Sequence, residues 1–116
     1  LNYPSRQMLD IDRIDFTKIG QFSFKEADEL RYPALRLARE VMRQGGLWGA
    51  SFNAAKEVAL DRFIEESIGF LEMAKVVELT LYQLDQMNLI ARGSQQLDEI
   101  LNIDQVARRI SKEINV

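Results

Sequence analysis

Glu57 is the residue of this sequence best suited to chemistry, because it lies beside Lys56 and among apolar neighbours in the segment from Asn53 to Ala59. A carboxylate at such a position could accept a proton or bind a metal ion through its oxygens. It could also be structural, paired with an arginine or with a free backbone N–H. The chain contains no histidine, so the Glu-x-x-His pattern of di-iron bundles is absent. We therefore favour the structural interpretation of Glu57.

A stripe of arginines is the second candidate. Arg36, Arg39 and Arg43 recur at spacings of three and four, which places them on one side of a helix. Such a stripe could bind phosphate or an acidic partner. Acidic residues are close in sequence and the whole chain carries a net charge of −3. We therefore predict a solvated face of weak surface ion pairs.

Trp48 lies between Gly46 and Gly49, in a segment that we predict to be the loop joining the first two helices. Its indole could contact another domain or a ligand. It could equally fold back over the end of the helical bundle. The sequence leaves both interpretations open.

The composition narrows the possible chemistry further. With no cysteine and no histidine, the chain has no thiolate nucleophile, and any metal site would use oxygen ligands alone. The net charge of −3 provides no attraction to nucleic acid or to an anionic membrane. The glycines after position 44 follow a helix rather than a strand, so the context of a dinucleotide-binding turn is missing. We predict no catalytic, cofactor-binding or metal-binding residues in this chain.

Residues 1–32 show little helical periodicity and predict an extended arm. Its scattered apolar side chains would hold it against a folded body. Phe22 and Phe24 alternate with Ser23 as in a short strand, and Gly20 marks a turn. The chain opens at Leu1 with no start signal, so we expect it to be a piece of a longer protein.

Residues 33–116 predict a small all-α bundle of about four helices. The first begins at Pro33, has an apolar face of Ala34, Leu37, Ala38, Val41 and Met42, and ends at Gly45-Gly46. The second begins near Asn53, ends by Ser67 to Gly69, and places Phe63 at the bundle centre.

The last two helices complete the predicted bundle. The third is expected to be the longest, with an apolar stripe from Phe70 to Leu84. Gly93-Ser94 would break the chain before a short turn over residues 97–100. Asp104 would then cap the final helix.

Six segments, in this order and at this spacing, resemble the C-terminal part of the 1-deoxy-D-xylulose 5-phosphate reductoisomerase family. The most specific is Asn53 to Ala59, which is similar to the family's Asn-Ala-Ala-Asn-Glu-Val-Ala. The resemblance covers nearly the whole chain, in residues 1–6, 15–24, 28–38, 53–59, 68–77 and 97–109. The chain departs from the family at Ala34 (usually cysteine), at Lys56 (usually asparagine), in a segment shortened to Gln7-Met8, and at Trp48-Gly49.

The resemblance implies an all-α fold and membership of an enzyme. It implies that residues 1–32 are a linker from the catalytic domain and that residues 33–116 are a helical domain supporting it. The whole enzyme would use NADPH and a divalent metal (Mg or Mn) to make 2-C-methyl-D-erythritol 4-phosphate for isoprenoid synthesis. Its motifs for cofactor, metal and substrate fall outside this chain, which we expect to be inactive alone.

Further expectations concern partners and alternatives. The resemblance implies that the chain contacts its own catalytic domain, in a homodimer in the bacterial cytoplasm or a plastid, without nucleic acid or membrane. Two alternatives stay open: the same module in a divergent reductoisomerase-like oxidoreductase, and a free-standing helical interaction module.

Overall fold

The computed structural model describes residues 3–91 and 96–116, and within these ranges it contains helices and no strand. This confirms the predicted all-α class. Leu1-Asn2 and the predicted break at Gly93-Ser94 lie outside the described residues. The helices are α1 (Phe16–Ile19), α2 (Pro33–Gln44), α3 (Trp48–Ile64), α4 (Glu72–Gln86) and α5 (Leu97–Glu113).

Helix α2 has the bounds that the sequence predicts. Pro33 occupies the first turn, where its missing N–H removes no helical hydrogen bond. Gly45 ends the helix with φ of 66°, a backbone conformation that favours glycine, and its N–H donates to Val41 O. Leu37 and Val41 are buried as expected, whereas Ala34 and Met42 are exposed. The apolar face is therefore narrower than predicted.

Helix α3 begins at Trp48, so the predicted start near Asn53 is wrong. Leu47 and Trp48 are both buried, and the Ser51 hydroxyl donates to Leu47 O over 3.0 Å. Local capping preference favours asparagine at a helix start. Here the burial of two large apolar side chains makes the helix begin more than one turn before Asn53.

Helix α5 is a single helix, so the predicted turn over residues 97–100 and the cap at Asp104 are also wrong. Asp104 lies in the middle of the helix and forms an ion pair one turn along with Arg108. The predicted third helix corresponds to α4, and the prediction that it is the longest is wrong. Helix α4 has 15 residues, whereas α3 and α5 have 17 each.

The core is built around α3, which packs against α5, α4 and α2. Small residues let the helices approach, since Ala54 and Ala55 of α3 and Ala107 of α5 are fully buried. Apolar side chains fill the space around them, namely Leu37, Val41, Leu47, Trp48, Val58, Ala59, Ile68, Val76, Val77, Leu81, Leu84, Ile90, Ile103 and Ile110.

Two aromatic residues predicted to lie in the core are largely outside it. Phe63 is 37% exposed and Phe70 is more exposed still. Their rings pack edge to face, with centroids 5.9 Å apart, at the margin of the bundle. Helical periodicity places Phe63 on the same stripe as Ala55 and Ala59, but Phe63 reaches solvent whereas both alanines are buried.

The arm does not pack against the bundle in the way the sequence predicts. It contains the one-turn helix α1, which Asp15 caps by accepting from Thr17 N, and Phe22–Phe24 is not a strand. Helix α1 contacts none of the long helices. The apolar side chains of the arm are exposed, namely Met8, Leu9, Ile11, Ile14, Phe16, Ile19, Phe22, Phe24 and Leu30.

Candidate functional site

Glu57 lies on the face of α3 that packs beside α5, where Arg108 reaches it. Arg108 Nη2 donates to Glu57 Oε2 over 2.6 Å, and Asn53 Nδ2 donates to Glu57 Oε1 over 2.9 Å. Arg108 also donates to both oxygens of Asp104, from Nε over 2.7 Å and from Nη2 over 3.2 Å. One arginine thus joins two carboxylates and ties α3 to α5.

The charges of this cluster keep both partners ionised. The hydrogen bond from Arg108, followed by that from Asn53, lowers the pKa of Glu57 below its ordinary value of 4.5. The hydrogen bond with Asp104, followed by that with Glu57, raises the pKa of Arg108. A carboxylate with a lowered pKa is a weaker base near neutral pH, and each of its oxygens already has a donor.

This geometry agrees with the structural interpretation of Glu57, which predicted either an arginine or a free backbone N–H as its partner, and the partner is Arg108. The sequence pattern predicts a helix cap at Asp104 and does not indicate Arg108 as the partner of Glu57. The spacing of four residues between Asp104 and Arg108 was the available signal, since such pairs face each other on a helix.

The described residues lack two features typical of metal and dinucleotide sites, a cluster of acidic side chains and a strand-to-helix turn. No three acidic side chains in the described ranges come together in a way that could hold a metal. Gly45 and Gly46 follow helix α2 rather than a strand, so no strand-to-helix phosphate turn forms there. That catalytic, cofactor and metal residues lie outside this chain stays a prediction.

The arginine stripe of α2 is a solvated face of ion pairs, as predicted. Arg36 Nη2 lies 2.5 Å from Glu78 Oε1, and Arg43 pairs with Glu40 on the same helix. Arg39 pairs with Glu29 at the end of the arm. All three arginine side chains are at least half exposed, so each pair contributes little to stability.

Trp48 is buried at the start of α3 and belongs to the core cluster. The structure therefore favours the second of the two interpretations, in which the indole folds back into the end of the bundle. It is not an exposed contact for a ligand or another domain.

An open apolar groove between α2, α3 and the start of α4 is a feature that the sequence analysis missed. We call it the α2–α4 groove; it has a volume of about 380 Å³ and an almost wholly apolar lining. Its walls include side chains from the three helices and from the end of the arm, among them Tyr32, Phe52, Leu60, Phe70, Leu71 and Met73. The sequence pattern assigned Phe70 to the core, which concealed this surface.

In the described portion of the chain, every helix is too short or too polar to cross a bilayer.

Comparisons with known proteins agree on one family. Residues 1–110 match the family described as the DXP reductoisomerase C-terminal domain. The chain is 50% identical over 113 residues to the 1-deoxy-D-xylulose 5-phosphate reductoisomerase of Cereibacter sphaeroides, covering 97% of this chain and 29% of the relative. It is 49% identical over 110 residues to the Rhizobium rhizogenes protein of the same name, covering 94% of this chain and 26% of the relative.

A solved structure gives the same result. The 1-deoxy-D-xylulose 5-phosphate reductoisomerase from Zymomonas mobilis in complex with NADPH superimposes with a TM-score of 0.82 at 36% identity. The match covers 96% of this chain and 28% of that one. The chain therefore spans less than a third of the length of the relatives it matches. Because the family match extends over nearly every residue, the chain belongs to the DXP reductoisomerase C-terminal domain family.

Proposed function

We propose that this chain is the C-terminal structural part of a 1-deoxy-D-xylulose 5-phosphate reductoisomerase. In the whole protein, residues 1–32 are the linker from the catalytic domain and residues 33–116 are a helical domain that buttresses it. The whole enzyme uses NADPH and a divalent metal, Mg or Mn, to convert 1-deoxy-D-xylulose 5-phosphate into 2-C-methyl-D-erythritol 4-phosphate. The 116-residue chain contributes no catalytic residue.

The observation that carries this proposal is the exposure of the arm. Its large apolar side chains lie in solvent, and α1 contacts none of the long helices. Three of its rings, Phe16, Phe22 and Phe24, form a chain with successive centroids 6.3 Å apart. Contiguous exposed apolar surface marks a contact with another protein surface. A catalytic domain attached to the arm would provide that surface.

The match in length supports the same proposal. Relatives named as the reductoisomerase extend for more than two-thirds of their length beyond the region that this chain matches. One relative was solved with NADPH, whereas the described residues here include no group of three acidic side chains that could hold a metal and no strand-to-helix turn. Both the greater length of the relatives and the bound NADPH are explained if the rest of a longer polypeptide binds the cofactor and the metal. By the same relationship we propose a cytoplasmic homodimer that binds neither nucleic acid nor membrane.

Activity of the longer polypeptide tests the proposal. The full-length protein should oxidise NADPH when 1-deoxy-D-xylulose 5-phosphate and Mg²⁺ or Mn²⁺ are present. Deleting residues 33–116 should greatly reduce that activity, because the catalytic domain loses its support. Full activity in the truncated protein would contradict the buttressing role, and no activity in the intact protein would favour a divergent oxidoreductase.

Calorimetric titration of the 116-residue chain provides the complementary test. We expect no saturable NADPH binding with or without Mg²⁺ or Mn²⁺, since the described residues provide no phosphate-binding turn. The full-length protein, titrated in the same way, is the positive control. Saturable micromolar binding to the chain alone would contradict the assignment of the cofactor to the rest of the protein.

A further inference from the structure

We propose that the α2–α4 groove is the surface on which the bundle docks against the rest of its own polypeptide. This inference rests on the proposed function and deepens it, because it assigns the buttressing contact to one face of the bundle. The occupant is an apolar segment of the catalytic portion that precedes the arm.

The lining of the groove resembles an interface more than an ordinary surface. Leu71 is 80% exposed at the start of α4, and Phe70 beside it is also largely in solvent. Tyr32 and Leu60 extend the same apolar surface across the groove and are about half exposed. Aromatic and large aliphatic side chains around a concave surface are typical of the centre of a protein–protein contact.

The arm identifies the occupant. Arg31, Tyr32 and Pro33, the last residues before and at the start of α2, form one wall of the groove. The linker therefore arrives at the groove itself, and a domain attached through it is held close by. A tether that ends at the groove raises the effective concentration of a second contact there without any new interaction. The exposed arm residues do not fill the groove, so it is free for the tethered domain.

Charges at the rim agree with this occupant. Lys56 lines the groove and forms no ion pair with any residue that the structure describes. The guanidinium of Arg31 lies 5.6 Å from the centroid of the neighbouring Tyr32 ring. The carboxylate of Glu57 is already paired with Arg108. The rim is thus positive, which favours an apolar segment flanked by acidic rather than basic residues.

Cysteine labelling of the intact protein tests the inference, because this chain contains no cysteine of its own. The single variants Leu71→Cys and Met42→Cys are made in the full-length polypeptide and treated with a maleimide. Peptide mass spectrometry then gives the labelling rate at each position, normalised to the rate in urea. Met42 is the matched control, since it is 79% exposed in the bundle and lies outside the groove lining.

We expect Leu71→Cys to react at least ~10-fold more slowly than Met42→Cys in the intact protein, because thiol reactivity needs access to solvent. Equal rates would overturn the inference, as the two positions are equally exposed when the bundle stands alone. Protection of Leu71→Cys that increases with protein concentration would also overturn it, because the occupant would then be a second copy.

The outcomes separate this inference from the proposed function. An active reductoisomerase in which both positions label equally would retain the function and reject the groove as the contact. A protein without that activity, in which Leu71→Cys alone is protected at every concentration, would reject the function and retain the contact.

Discussion

Truncating Phe63 should destabilise the chain less than truncating Leu84, although helical periodicity places Phe63 at the bundle centre. Leu84 is fully buried (0% exposed) in α4, whereas Phe63 is 37% exposed. Leu84→Ala leaves an enclosed cavity and should cost ~3–5 kcal/mol of unfolding free energy, the upper range for such changes in cores. The cavity would be lined by side chains of the main cluster, which cannot collapse fully into it.

The cost at Phe63 can be worked out from its exposure. An enclosed phenylalanine buries at least ~150 Å², so about two-thirds of that, ~100 Å², is withdrawn from water here. At ~25 cal/mol/Å² this corresponds to an upper value of ~2.5 kcal/mol. Because the site opens to solvent, water replaces the ring and no sealed void remains. We expect Phe63→Ala to cost ~1.5–2.5 kcal/mol.

Urea denaturation of the 116-residue chain, followed by circular dichroism, measures both changes. The slope of each transition should match the parent, so that midpoints report stability. A double-mutant cycle with Phe70→Ala should give a coupling of ~0.5–1.5 kcal/mol, because the two rings meet edge to face. A larger loss for Phe63→Ala than for Leu84→Ala would refute the assignment of Phe63 to the margin.

The ion pair, a glycine turn and a buried hydroxyl provide three further tests. Because the pKa of Glu57 is lowered on folding, its ionised carboxylate stabilises the fold above pH 4.5, and this stabilisation is lost as the pH falls further. Acidification should therefore destabilise the parent chain more than the Glu57→Gln variant. Parallel curves of stability against pH for the two proteins would contradict this. Gly45→Ala should cost ~1–3 kcal/mol in thermal melts, because alanine would be strained at the positive φ of this position. Gly49→Ala is the control: it lies inside α3 with open space at Cβ, and it should be neutral or stabilising by up to ~1 kcal/mol. Equal effects of the two substitutions would disprove backbone strain at position 45. Ser111→Val should cost ~1–3 kcal/mol in urea, because valine removes the hydrogen bond of the fully buried hydroxyl with Thr80 Oγ1, 3.0 Å away, and adds volume at a buried position. A neutral result would show that the site is loosely packed.

Part of this protein follows from local chemistry and could be read from the residues. Pro33 and Gly45 determine the bounds of α2 because each restricts or permits a backbone conformation independently of the rest of the chain. The neighbours of Glu57 in the sequence predicted a structural carboxylate paired with an arginine or a backbone N–H, and the structure supplies Arg108 as that partner. The family, too, was recognisable from the order and spacing of short segments.

The start of α3 and the role of Asp104 depended instead on how the folded chain is arranged. The start of α3 lies at Trp48 rather than Asn53 because burial of Leu47 and Trp48 outweighs a capping preference of about 1 kcal/mol. Asp104 is as suitable for a helix cap as for a salt bridge. Because α5 begins at Leu97, Asp104 lies inside the helix and pairs with Arg108 four residues later.

The arm, Phe63 and the α2–α4 groove show most clearly that a sequence pattern does not reveal which apolar surfaces become covered. Periodicity identifies which side chains share a face, but it cannot say where the covering helices end. Phe63 lies on the apolar stripe and still reaches solvent, and Leu71 remains exposed beside the groove. Sequence alone therefore determined the all-α class, the bounds of α2 and the family, whereas tertiary packing decided which apolar surface is core and which remains available for contact.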